Sequence, residues 1–122
     1  MKSHAPRFLA LVASSKARIQ EISVADVLES TVNTVLIDVR EESEWQRSHA
    51  VGAIHIGKGV LERDIETSFP DVHTRIVLYC GGGYRSAIAA DALQTMGYTQ
   101  VFSLAEGYRA WKGAQAPVVE RS

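Results

Sequence analysis

The stretch "VLYCGGGYRSAIAADAL", Val77 to Leu93, decides how the chain is read. It opens on an apolar run, reaches Cys80, passes Gly81, Gly82 and Gly83, and enters a helix-forming run near Tyr84 or Arg85. This order spells a buried strand, a tight loop and a helix. Glycine reaches left-handed backbone angles at little steric cost. Three in a row allow the loop to curl until several N–H groups point at one centre. Such a nest at a helix N-terminus is an anion site. The anion is either a bound ligand or the sulfur of Cys80 itself. N–H donors and a helix N-terminus favour a thiolate, which is a nucleophile. Arg85 adds a permanent charge and a donor fork suited to an oxyanion.

Outward from this loop, strands and helices alternate. "NTVLIDVR" reads as a buried strand and "QVFSL" as the last strand of the sheet. "GAIHIG" is a brief strand between Gly52 and Gly57. "VADVLES" follows the N-cap residue Ser23, with Val24, Val27 and Leu28 as its apolar face. "EESEWQRS" and "VLERDIETSF" are short helices, and "GYRAWKGA" is the last one. In "YRSAIAADALQTM" the core face is expected at Ile88, Ala92, Leu93 and Met96, with Gly97 as the C-terminal cap. Short apolar strands with helical crossovers imply an α/β fold with a mostly parallel sheet, helices on both faces. Sites in such sheets form at the carboxyl ends of strands, where Cys80 falls.

The totals agree with one soluble domain. The chain has 122 residues, 46% hydrophobic and 22% charged, with thirteen basic against fourteen acidic residues. The near-neutral balance gives no electrostatic case for nucleic acid or an anionic membrane. No apolar run approaches the ~20 residues of a membrane-spanning helix. One cysteine excludes an intrachain disulfide scaffold, so a reducing compartment such as the cytoplasm is expected. The apolar run "FLALVA" is shorter than the ~7–15 residues of a secretory signal core. Arg7 to about Gln20 is therefore read as an amphipathic helix with Phe8, Leu11, Val12 and Ser15 on one side. His4, His49, His55 and His73 lack metal-ligand spacing, and no metal or cofactor is called for. Trp45 and Trp111 are expected as core anchors.

Five signatures occur together and in order: D-V-R (Asp38 to Arg40), H-x-x-G-A from His49, C-x-x-G-x-R-S from Cys80, L-x-x-x-G-Y-x-x-V from Leu93, and G-Y-x-x-W from Gly107. Taken as a series, residues 20 to 118 resemble a single-domain rhodanese. The resemblance implies a rhodanese-like α/β fold with a central, mostly parallel five-stranded sheet over residues 20–122, preceded by a helical extension over 1–19. It implies a sulfurtransferase in which Cys80 accepts a sulfane sulfur from a donor such as thiosulfate and passes it, as a persulfide, to cyanide or a thiol. Gly81, Gly82, Gly83, Tyr84, Arg85 and Ser86 match the substrate-binding loop, and Tyr84 is a candidate for lining the pocket mouth. Asp38 and Arg40 match a supporting element. Arg85 either orients the donor or braces the loop through an acidic partner.

Two departures from the family pattern stand out. Val51 replaces a frequent proline. Gly81 stands where thiosulfate-using members often carry a basic residue, which leaves the donor open. Partners are a small-molecule donor and acceptor, with a protein acceptor as a further candidate. Two other readings remain: a persulfide carrier or regulatory module acting with a protein partner, and a cysteine phosphatase or arsenate reductase. Cysteine phosphatases place five residues between Cys and Arg, whereas "GGGY" provides four.

Overall fold

The computed structural model describes residues 4–30 and 32–120. In chain order the elements are α1 (Pro6–Lys16), β1 (Gln20–Ile22), α2 (Val24–Glu29), β2 (Thr34–Asp38), α3 (Glu42–Arg47), β3 (Ser48–Ala50), β4 (Ile54–His55), α4 (Lys58–Ser68), β5 (Arg75–Tyr79), α5 (Tyr84–Thr95), β6 (Val101–Leu104), α6 (Gly107–Gly113) and β7 (Val118–Glu120). Five strands form one parallel sheet in the order β1-β6-β5-β2-β4. The central strands are those whose sequences are almost wholly apolar, because both of their faces are covered.

Alternation along β5 divides the core in two. Ile76, Leu78 and Cys80 join one cluster, with Leu61 and Ile65 of α4 and Ala89, Ala90 and Leu93 of α5. Val77 and Tyr79 join the other, with Val24 and Val27 of α2 and Tyr108 and Trp111 of α6. Successive side chains point to opposite faces of a strand, so a single five-residue segment feeds both cores. Cys80 thereby faces α5.

Some sequence expectations change in detail. Leu11 and Leu28, assigned to buried faces, are 52% and 43% exposed, while Val12, Ser15, Val24 and Val27 are buried. On α1 the face towards α5 turns on Val12 and Ser15, one position round from Leu11. On α5 the buried residues are Ser86, Ala87, Ala89, Ala90 and Leu93, while Ile88, Ala92 and Met96 are half-buried. The sheet, α1 and α4 all pack against this helix, so its burial is not one stripe. Its alanines allow that close approach. Trp111 is buried and donates to the Pro117 carbonyl at 2.7 Å, as a core anchor does. Trp45 is half-buried and stacks instead on His49 and His55, with ring centroids 3.5 and 5.3 Å away.

The N-terminal helix is tied to the domain. Ser15 donates to Asp91 at 3.2 Å, the Arg18 guanidinium pairs with the same carboxylate, and Gln94 donates to the Arg18 carbonyl at 2.8 Å. A small antiparallel pair, β3 with β7, ties Val118–Glu120 to the strand that directly follows α3. Among the described residues no helix is long and apolar enough to cross a membrane.

Candidate active site

The carboxyl ends of β2, β5 and β6 lie side by side, since Asp38 is in register with Tyr79 and Leu78 with Ser103. Cys80 follows β5 at this edge. Its sulfur accepts from the Gly83 N–H at 3.1 Å and the Ser86 N–H at 3.4 Å. Ser86 is the third residue of α5, and no side chain caps that helix. The sulfur therefore fills the place of an N-cap acceptor, taking an amide that the first turn leaves without an intrahelical partner. Gly83 makes this possible with φ of 94°, a left-handed conformation that turns its own N–H inward.

The carbonyls of the loop are held the opposite way. Tyr108 N–H donates to the Cys80 carbonyl at 2.7 Å and Arg109 N–H to the Gly81 carbonyl at 3.1 Å. The first turn of α6 thus holds the Cys80 and Gly81 carbonyls on its own side, while the Gly83 amide faces the sulfur. A Cβ on Gly107 would lie 2.3 Å from the Cys80 oxygen, so only glycine permits this approach.

A second ring of polar contacts lies behind the sulfur. The thiol donates to the Ser86 hydroxyl at 3.5 Å, and Ser86 and Ser103 share a hydrogen bond of 2.8 Å, both side chains fully buried. Ser103 was not among the sequence candidates. Its signal was a hydroxyl inside the apolar run "QVFSL", on the face shared with Val101.

Arg85 bonds Glu44 through both arms, Nη1 to Oε1 at 2.8 Å and Nη2 to Oε2 at 3.2 Å. Glu44 Oε1 also accepts the Glu41 N–H at 3.0 Å, closing a capping box on α3. The guanidinium hydrogen bond holds the Glu44 carboxyl below the usual range, and Glu44 in turn raises the Arg85 pKa. Of the two roles open to Arg85, this geometry is that of a brace. Glu44 itself was missed; the E-x-x-E spacing before Trp45 was its only trace.

Asp38 and Arg40 pair with each other. Arg40 Nη2 lies 2.8 Å from Asp38 Oδ2, and the two side chains are 6% and 0% exposed. Arg40 also donates to the Ser48 carbonyl at 2.7 Å and sits 4.3 Å from the Tyr108 ring centroid. These contacts join the end of β2 to β3 and α6, and neither residue bonds the sulfur.

Tyr84 is a correction. Its ring packs on His4 and Phe8 at 4.8 and 6.2 Å, with Lys16 Nζ 5.4 Å from its centroid. The side chain leaves the loop for α1 because the first turn of α5 directs it there. It contributes backbone to the loop and an anchor to the N-terminal helix.

The sulfur also lies deeper than the mouth position expected for it. Cys80 is 1% exposed, while Gly81 and Gly82 are half-buried. A cleft of about 830 Å³ borders Arg85, lined also by Arg40, Glu41, His55, Lys58 and Asp64, but Cys80 does not line it. The directed amides lie at the loop rather than in this cleft. Among the described residues no group of three or more His, Cys, Asp or Glu is placed to hold a metal ion.

Residues 23–114 match the rhodanese-like domain family, and the chain belongs to it. The thiosulfate sulfurtransferase PspE of Escherichia coli is 38% identical over 65 residues, covering 53% of this chain and 62% of that protein. The polysulfide-sulfur transferase homodimer of Wolinella succinogenes superposes with a TM-score of 0.80 at 26% identity, over 95% of this chain and 89% of that one. RPA3614 of Rhodopseudomonas palustris, a protein of unknown function described as a possible tyrosine phosphatase, gives 0.84 at 27% identity, over 98% and 99% of the two chains. The likeness to these structures includes the N-terminal helix, and the fold is the rhodanese-like one with its five-stranded parallel sheet.

Proposed function

We propose that the protein transfers sulfane sulfur through a persulfide on Cys80. The observation that carries this reading is the pair of amides, Gly83 and Ser86, aimed at one sulfur atom. Fixed donors directed at a nucleophile stabilise negative charge on it without reorganising during reaction. A thiol serving only as a small core hydrophobe needs no such arrangement.

In the first half-reaction the Cys80 thiolate attacks the outer sulfur of thiosulfate. A Cys80–sulfur bond forms, the donor's S–S bond breaks, and its electron pair leaves with sulfite. Charge now rests on the outer sulfur of the persulfide. In the second half-reaction cyanide or a thiolate attacks that sulfur, and Cys80 departs as thiolate. This is nucleophilic catalysis in two steps. The route to the buried sulfur passes Gly81 and Gly82, which carry no side chains to bar it.

The experiment is steady-state formation of thiocyanate from thiosulfate and cyanide. Wild type turns over and Cys80→Ser does not. Equal activity in the two proteins overturns the reading. A carrier role is the second reading, since Gly81 stands where a basic side chain would meet an anionic donor. The putative sulfur carrier YrkF of Bacillus subtilis is 29% identical over 101 residues, with 54% of that protein covered. Under the carrier reading Cys80 accepts sulfur yet passes it to cyanide poorly and to a protein thiol well.

A further inference from the structure

The glycine loop has no side chain with which to meet an anionic donor, but two guanidiniums stand beside it. Arg85 Nη2 lies 3.3 Å from where a Cβ on Gly81 would be, and Arg109 Nη2 lies 4.0 Å from where one on Gly82 would be. The two differ in commitment. Arg85 is engaged by Glu44 through both arms, so little of its charge is left for a second anion. Arg109 has Glu106 at 3.7 Å, with the two side chains 72% and 73% exposed. Such a solvated pair holds weakly and is readily exchanged for another anion. The main chain of Arg109 is nevertheless fixed, because its N–H donates to the Gly81 carbonyl at 3.1 Å. A pinned backbone under a weakly paired guanidinium leaves that charge able to turn to an anion beside the loop.

We propose that Arg109 is a specificity-determining residue that receives the oxyanion end of a dianionic sulfur donor at the rim of the Cys80 loop. It supplies from α6 the charge that Gly81 does not supply from the loop. The assignment rests on the sulfur-transfer reading and names the donor class for it. A guanidinium fork suits an oxyanion and can bond two of the three oxygens on the donor's tetrahedral SO3 end, as it does with phosphate. The chemical step is unchanged: the donor's S–S bond breaks and its pair leaves on sulfite, whose oxygens Arg109 holds.

The test compares two donors with the same reacting bond. Thiosulfate is a dianion and methanethiosulfonate a monoanion. Sulfur loading of Cys80 is followed by intact mass against donor concentration. Arg109→Ala is expected to raise the half-saturating thiosulfate concentration about tenfold, the loss of one charged hydrogen-bond partner. The maximal loading rate changes little, the shift for methanethiosulfonate is markedly smaller, and Arg109→Lys, which keeps the charge but loses the fork, restores only part of the thiosulfate affinity. Added salt narrows the difference between wild type and Arg109→Ala. An unchanged half-saturation, or an equal rise for both donors, overturns the assignment while leaving sulfur transfer intact. Wild type that loads from neither donor overturns both.

Discussion

Glu44 and Arg85 lie 41 positions apart in sequence and meet through two hydrogen bonds of 2.8 and 3.2 Å. One carboxylate thus caps α3 and fixes the first turn of the helix that carries the cysteine loop. Both side chains are one-third exposed, so the pair is not sealed from water.

This contact has a pH signature. The folded-state pKa of Glu44 is depressed, chiefly by the hydrogen bond from Arg85. A depressed carboxylate contributes stability above its unfolded value, near 4.3, and loses it as pH falls through the lower folded value. Glu44→Gln should therefore be less stable than wild type at neutral pH, and the difference should shrink as pH falls below about 4. Urea denaturation across that range measures it. A difference that is constant with pH rules the ionic contact out.

Gly107 is the position least able to change. An added Cβ meets the Cys80 carbonyl at 2.3 Å, and the backbone φ is 57°. The left-handed conformation alone costs a non-glycine residue about 1–2 kcal/mol. Gly107→Ala should cost more, because the carbonyl must move and take the loop with it. The expected outcome is lower stability in denaturation together with slower sulfur loading of the folded protein. Normal loading would show that α6 does not set the loop.

Arg40 tests the supporting element. Removing one partner of a buried ion pair leaves the other charge uncompensated, a loss of about 3–5 kcal/mol. Arg40→Ala should fall in that range, since Asp38 is fully buried and the Ser48 carbonyl loses its donor. Chemical denaturation measures the loss. A change below about 1 kcal/mol, the value of an exposed pair, contradicts the assignment.

The strands that build the sheet centre were legible because they are buried on both faces and read as apolar runs. The cysteine loop was legible because Cys, three glycines and a helix start are adjacent in sequence. What was not legible depends on distance or brevity. Glu44 reaches Arg85, and Ser103 reaches Ser86, only after folding. The three-residue strands β1, β3 and β7 are too short for a period-two pattern to emerge. Tyr84 was misjudged since its place in the loop does not fix where its ring points. Leu11 and Leu28 are apolar residues that the neighbouring elements leave uncovered, a common condition at protein surfaces.

The central claim is that the Cys80 sulfur, held by two amides, takes on one further sulfur atom. Its most direct measurement is the intact mass of the protein after incubation with thiosulfate, mercaptopyruvate and a low-molecular-weight persulfide, each followed by cyanide. A gain of one sulfur with at least one donor is expected, absent in Cys80→Ser and reversed by cyanide or by a thiol. A wild-type mass that stays unchanged with all three donors, or an equal gain in Cys80→Ser, contradicts it.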